Sequence, residues 1–224
     1  MRRLAAAATV ALAIAATTLA TARPAAAAPT TVCVVPLGKF DAKLVPIIQR
    51  GIAYIYGFQT RLLPARAMPA AAFYKPRKRW RADEILSFLN ASVLPDSGCT
   101  IVMGFTREDI STTKPPFEDW GILGLGQIGG TASVVSSFRA SRRVGRKQAA
   151  MRTVKVVNHE LGHVLGMDHG GEPGCVMNDA AGTVKTIDKE PGLLCPNERS
   201  FVEDHHEVVI PAHTSFEWPL VLSP

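Results

Sequence analysis

Apolar and polar positions alternate in blocks along the first part of the chain, and these blocks predict strands and helices in turn. Residues 32–37 form a short apolar run that is typical of a buried strand. Residues 42–56 place apolar side chains three and four apart, as on an amphipathic helix, and Gly57 follows as a stop signal. Residues 58–63 return to a strand pattern, so the three segments together predict a β-α-β unit.

The middle of the chain continues this alternation. We expect a helix over about residues 82–92 and a strand over 101–105. Residues 120–139 predict two short strands joined at residues 129–130. The glycines of this segment lack the context of a nucleotide-binding loop, because no helix follows them and no P-loop lysine is present. We interpret the segment as an edge strand that lets a peptide backbone approach and pair with it.

The amino terminus has the pattern of a secretory signal peptide. Arg2 and Arg3 precede a long alanine-rich apolar run, and residues 25–28 offer a small-residue cleavage site. An uncleaved membrane anchor is the alternative, but the run consists largely of small residues and ends in them. We expect residues 1–28 to be removed and the protein to be secreted or periplasmic, without stable membrane insertion. The arginine pair does not decide the export route.

Residues 29–224 are predicted to form one domain, with an N-terminal lobe over about 29–169 and a C-terminal lobe over about 170–224. No pattern assigns a structure to residues 64–79 or to the tail after about residue 210. Without residues 1–28 the net charge of +6 falls to +3, so the basic character comes partly from the leader. Basic clusters at residues 75–81 and 139–147 favour solvated surfaces over nucleic-acid binding, since they offer too few aromatic residues for base stacking. We expect a monomer.

Four cysteines remain after the leader, and an even number in an exported protein favours two disulfides, for which three pairings exist. Cys33 and Cys99 each begin an apolar run. If these runs are neighbouring parallel strands, the two thiols lie at the same end. This reasoning favours pairing Cys33 with Cys99 and Cys175 with Cys195.

The residues that carry chemistry are His159, Glu160, His163, Gly166 and His169, which form the pattern H-E-x-x-H-x-x-G-x-x-H. The first two histidines are four residues apart, so a helix presents them on one face, where they can share a metal ion. The glycine lets the chain leave the helix in a left-handed turn that brings the last histidine back as a third ligand. Three ligands leave one position open, which is typical of a catalytic zinc.

Glu160 is expected to act on water rather than to bind the metal. A zinc ion held by neutral imidazoles keeps its double positive charge and lowers the pKa of a bound water to about 7. The carboxylate can then take the proton as general base and return it to the leaving amine. The helix with the ligands is expected to begin near Arg146 and to pack its apolar residues under the sheet.

Beyond the third histidine the chain resembles the metzincin peptidases, in which a methionine turn forms an apolar floor beneath the zinc. Met177 is at the matching position. The chain resembles the archaemetzincins (archaelysins) in particular, where Cys, four residues, Cys, one residue, Met, seventeen residues and Cys-x-x-Cys follow that histidine. All these spacings are met, although Gly170 and Glu198 stand where the first and fourth cysteines are expected.

The resemblance covers most of the chain after the leader and implies an α+β, metzincin-like fold. Such a fold has a mixed, mostly parallel five-stranded sheet, an active-site helix, a backing helix and a small irregular or helical C-terminal lobe. The four cysteines of the relatives resemble a second, structural zinc site, of which only Cys175 and Cys195 remain here. We therefore expect one catalytic Zn²⁺, with a disulfide in place of the second ion.

These observations predict a secreted zinc-dependent peptidase that acts on a peptide or protein substrate. One alternative is a secreted zinc-binding protein without turnover, which the unligated Glu160 disfavours. The other is a zinc amidase on non-peptide amides, which would use the same atoms. The sequence does not indicate the substrate, nor whether the enzyme is an endopeptidase or an aminopeptidase.

Overall fold

The computed structural model describes residues 30–170, 173–180 and 183–223. The predicted leader, residues 1–28, lies outside them. The described strands are β1 (Thr31–Pro36), β2 (Gln59–Leu62), β3 (Phe73–Tyr74), β4 (Arg79–Arg81), β5 (Ile101–Thr106), β6 (Ile110–Lys114), β7 (Phe117–Ile122), β8 (Gly124–Gly126) and β9 (Ala132–Ser136). The described α-helices are α1 (Leu44–Tyr56), α2 (Ala82–Ser92), α3 (Leu94–Ser97), α4 (Ser137–Ala140), α5 (Arg146–Val164), α6 (Val184–Lys189), α7 (Pro196–His206) and α8 (Trp218–Leu222).

The main sheet has five strands in the order β2-β1-β5-β9-β8. The first four are parallel, and β8 pairs antiparallel with β9 at one edge. The expected β-α-β unit is therefore present as β1, α1 and β2. The edge strand predicted from the glycine-rich segment is also present, as β8.

Apolar side chains cover both faces of this sheet, because successive residues of a strand point to opposite sides. Val32 and Val34 of β1 belong to a core with α1 and α5, whereas Val35 belongs to a core with α2 on the other face. Helix α1 lies directly against α5, since a Cβ on Gly51 would come within 2.6 Å of Val154 Cγ1. Helices α1 and α5 therefore pack side by side on one face of the sheet, with α1 as the backing helix of α5.

A second sheet of four strands, in the order β3-β4-β6-β7, was not predicted. Strand β3 and the first residue of β4 lie in the segment at residues 64–79, which also contains the 3₁₀ helix Ala70–Ala72. Its strands are short, and its two antiparallel pairs, β3–β4 and β6–β7, are joined where β4 pairs with β6, which is distant in sequence. Strands of this length leave little periodicity to detect. Within this sheet Arg79 Nη1 lies 2.6 Å from Asp119 Oδ2. Beside it, Nε of Arg139 in α4 lies 2.7 Å from Oδ1 of Asp109, the residue before β6. These arginines of the two basic clusters are thus engaged in ion pairs.

The segment after α6 returns to α5. Helix α7 abuts the end of α5, where His206 Nε2 lies 2.8 Å from the carbonyl oxygen of Leu165. The tail then crosses α1, with Arg50 Nε donating to the carbonyl of Val221 at 2.8 Å. The predicted α+β class and mostly parallel five-stranded sheet are confirmed. Among the described helices none combines the length and the apolar character that a membrane span requires.

Candidate metal centre

Helix α5 carries His159, Glu160 and His163, and it ends just after them. The chain turns at Gly166, whose φ of +97° lies in the left-handed region that glycine adopts without strain. Its N–H donates to the carbonyl of His163 at 2.9 Å. The turn brings His169 back toward the helix, as the glycine in the pattern predicts.

The three histidines converge on one point. Their ligand atoms all lie within 4.8 Å of one another, and Nε2 of His159 is 3.3 Å from Nε2 of His169. The ring of His163 meets each of the other two nearly edge-on, with centroid distances of 4.7 and 4.8 Å. Three imidazole nitrogens at this spacing form a donor set that suits Zn²⁺.

Two backbone carbonyl oxygens fix the tautomers of two of the three histidine rings. Nδ1 of His159 lies 2.7 Å from the carbonyl of Val176, and Nδ1 of His163 lies 2.8 Å from that of Met167. A carbonyl can only accept, so each Nδ1 carries the proton and each Nε2 keeps its lone pair. Burial lowers the pKa of His163 and lowers that of His159 to about 4. Both rings are therefore neutral, the form that binds a metal ion.

Glu160 is buried against the edge strand β8. A Cβ on Gly124 would lie 2.6 Å from its Cγ and Oε1, and one on Gly126 would lie 2.3 Å from its carbonyl oxygen. Only glycine allows α5 and β8 to come this close. Burial raises the pKa of Glu160 to about 8, although a hydrogen bond from the backbone of Gly126 acts in the opposite direction.

Met177 lies beneath the histidines and is fully buried. A Cβ on Gly162, between the two helical histidines, would come within 2.2 Å of its sulfur. The methionine sulfur thus packs directly on the helix backbone. The resemblance to the metzincins leads us to expect an apolar floor of this kind beneath the metal.

The sequence profile of peptidase family M54 matches residues 66–201, which include the whole histidine pattern. The chain belongs to peptidase family M54. It is accordingly a zinc metallopeptidase of the archaemetzincin type.

Individual relatives support this membership. The archaemetzincin of Haloarcula marismortui is 28% identical over 170 residues, which are 72% of this chain and 93% of the relative. That of Archaeoglobus fulgidus is 26% identical over 155 residues, 69% of this chain and 88% of the relative. The crystal structure of the Methanopyrus kandleri archaemetzincin has a TM-score of 0.69 at 21% identity, over 83% of this chain and all of that one. This structural likeness concerns the fold.

A cavity of about 320 Å³ opens beside the histidine cluster of this M54 peptidase. It is bounded by β8 and by the face of α5 from Lys155 to His163. Lys155 and Glu190 also line this cavity, and Nζ of Lys155 donates to the carbonyl of Ile187 at 2.8 Å and to that of Glu190. Burial lowers the pKa of Lys155 and raises that of Glu190 to about 7. Sequence reasoning did not single out this pair, which lies outside every motif.

The four cysteines form two disulfides, Cys33–Cys99 and Cys175–Cys195. This is the pairing that the strand positions favoured, since β1 and β5 are indeed parallel neighbours. The second disulfide lies beside Glu198, whose carboxylate oxygen is within 4.8 Å of both sulfurs. A Cβ on Gly170 would lie 3.6 Å from Oε1 of Glu198. The four positions at which archaemetzincins are expected to have cysteine therefore meet in space, although two are occupied by other residues.

Proposed function

We propose that this M54 peptidase is exported and hydrolyses peptide bonds with one zinc ion held by His159, His163 and His169 and with Glu160 as general base. The observation that carries the proposal is the convergence of the three imidazoles together with the locked tautomers of two of them. A purely structural zinc site has four protein ligands. Here the three histidines line a cavity together with Glu160, whose carboxylate is not among the converging ligand atoms.

In this proposal Glu160 transfers a proton from the attacking water to the leaving amine. A zinc ion bound at the histidines would polarise the substrate carbonyl, acidify the attacking water and favour the ionised form of the glutamate. The carboxylate of Glu160 takes a proton from the water as the water oxygen bonds to the scissile carbonyl carbon, and it then delivers that proton to the amine nitrogen as the C–N bond breaks. Gly126 orients this carboxylate through its backbone hydrogen bond.

The edge strand β8 is suited to hold the substrate backbone. One of its edges pairs with β9, and both strand and cavity border Glu160. An extended peptide added to such an edge is bound by main-chain hydrogen bonds, with little demand on its sequence. The cavity along α5 would receive one side chain beside the scissile bond, between largely apolar walls that include Leu123, Val156 and Ile187.

The groups near Cys175 and Cys195 are not available as ligands of a second metal ion, and this supports a single zinc ion at the histidines. Zinc is bound by thiolates, and the two sulfurs are joined in a disulfide. The carboxylate of Glu198 is engaged with backbone N–H groups. We propose that the disulfide takes over the clamping of the C-terminal lobe.

Export is supported by the leader pattern of residues 1–28 and by the two disulfides, which persist in oxidising compartments. We further propose that residues 29–224 form one catalytic domain and act as a monomer. Expression of the full chain with a C-terminal tag, followed by amino-terminal sequencing of the exported protein, tests the cleavage. An unprocessed amino terminus in the membrane fraction would contradict it.

The catalytic proposal is tested with purified protein stripped by a chelator and reloaded with measured amounts of Zn²⁺. A mixed peptide library followed by mass spectrometry should show cleavage that begins with one zinc ion per chain. Cleavage without metal would contradict the proposed chemistry, and a second tightly bound ion would contradict the single site. Zinc binding without cleavage of any peptide would favour a binding protein. Cleavage confined to non-peptide amides would identify an amidase.

A further inference from the structure

The segment Cys175–Val176–Met177 is held at each of its three residues by the segment that begins helix α7. Cys175 is joined to Cys195 by the disulfide. The N–H of Val176 donates to the carbonyl of Leu193 at 2.9 Å. The N–H of Met177 donates to Oε1 of Glu198 at 3.1 Å.

The same segment holds two of the three histidines. The carbonyl of Val176 accepts the hydrogen bond from Nδ1 of His159. The carbonyl of Met177 accepts from the N–H of Gly170 at 2.9 Å, directly after His169. A displacement of this segment would therefore move one histidine ring and the backbone beside another.

The side chain of Glu198 bonds both to this segment and to the start of α7. Its second oxygen, Oε2, accepts from the N–H of Cys195 at 2.9 Å, as the third residue of a capping box does. The residue is 7% exposed, so both bonds lie in a setting of low dielectric. A carboxylate can accept at both oxygens, whereas an amide would turn an N–H₂ group toward one of the two donors.

We propose that Glu198 is a positioning residue, which sets the affinity of the histidine cluster for zinc by fixing the Val176 carbonyl. This inference rests on the proposed function, because it takes the three histidines as the zinc ligands. Partners that orient a metal-binding histidine commonly change metal affinity by about 10–100-fold when they are altered. Glu198 acts one step further away, through the backbone of Met177 and Val176.

The test compares Glu198→Gln with Glu203→Gln in the oxidised full chain. Glu203 lies on the same helix and also accepts a backbone N–H, from Ile210 at 3.0 Å, but it has no bond to the segment under the histidines. We expect both variants to lose thermal stability, and only Glu198→Gln to bind Zn²⁺ at least about tenfold more weakly in competition with a chromophoric chelator. The visible spectrum of the Co²⁺-loaded protein should change in that variant alone.

Equal zinc affinity and equal Co²⁺ spectra in the two variants would overturn the proposal. Wild-type chain that binds no zinc would instead contradict the proposed function. If Glu198→Gln does not fold, the proposal is tested instead by amide hydrogen exchange of the wild-type chain with and without Zn²⁺. Coupling between the cluster and Glu198 requires that Zn²⁺ slows exchange at the amides of Met177 and Cys195, and unchanged rates there would overturn the inference.

Discussion

Nδ1 of His159 lies 2.7 Å from the carbonyl oxygen of Val176, although 17 residues separate them in the chain. This bond joins the active-site helix to the turn that contains Met177. It fixes the tautomer of the first histidine of the cluster, and with it the direction of the free lone pair. The metal centre therefore depends on a contact between α5 and a distant turn as much as on the helical spacing of its histidines.

Replacement of Glu160 should separate catalysis from metal binding. We expect Glu160→Gln to lower kcat by about 10²–10⁴-fold, because the amide cannot accept the proton of the attacking water. Zinc content should stay at the wild-type value, since the carboxylate is not among the converging ligands. Glu84→Gln, on exposed α2 surface, is the control. Full peptidase activity in Glu160→Gln would refute the assignment of the general base.

Replacement of a β8 glycine even by alanine should impair catalysis. In Gly126→Ala the new Cβ would lie 2.3 Å from the carbonyl oxygen of Glu160 and 3.0 Å from Cβ of His163. Strand and helix must then separate, and we expect kcat/KM to fall sharply while the far-ultraviolet circular dichroism remains that of a folded protein. Gly145→Ala is the matched control, because nothing lies within 4 Å of its added Cβ. Similar kinetics in the two variants would contradict the close-packing argument.

The two disulfides should differ in their effect on the metal centre. Their loops span 20 residues for Cys175–Cys195 and 66 for Cys33–Cys99, and loop entropy alone gives about 3 and about 4 kcal/mol of stabilisation. We expect both double Cys→Ser variants to unfold at lower urea concentration. Zinc affinity should weaken only in Cys175→Ser/Cys195→Ser, whose bridge holds the segment below His159. A Cys33→Ser/Cys99→Ser variant with equally weakened zinc binding would show that general stability, rather than this clamp, controls the site.

The ion pair between Arg152 and Asp188 should make the free energy of unfolding depend measurably on pH. Hydrogen bonds from the buried guanidinium of Arg152 lower the pKa of Asp188 from its ordinary value of 3.8. The folded state therefore keeps the carboxylate ionised at a pH where the unfolded chain takes up a proton. The contribution of the pair is present above pH 3.8 and is lost as the pH falls through the lower folded value.

Urea unfolding of wild type and Asp188→Asn over a series of pH values tests whether the stabilisation by this ion pair is lost in acid. The variant should be less stable near neutral pH, and the difference should shrink as the pH falls below about 4. Asp204→Asn, on an exposed position of α7, serves as control. A difference that stays constant or grows in acid would show that the pair is not responsible.

The amino-acid sequence by itself determined the features that depend on local periodicity and on fixed spacing. These include the first β-α-β unit, the helix that begins at Arg146, the edge strand rich in glycine and the convergence of the three histidines. Each follows from residues a few positions apart, whose geometry a helix or strand fixes in advance. The disulfide pairing could be favoured as well, because neighbouring parallel strands bring their first residues together.

Only the tertiary structure decided the features that join distant segments. The second sheet pairs short strands without a strong pattern of their own, and the tail after residue 210 finds its place only against α1. The carbonyl oxygens of Val176 and Met167 carry no sequence signal, since every residue has one. From the sequence, Glu198 could be assigned only a capping role at the start of α7, and its hydrogen bond with Met177 is known only from the tertiary structure. These contacts arise from chain packing, in which the partner of a polar group is set by the fold rather than by its neighbours in sequence.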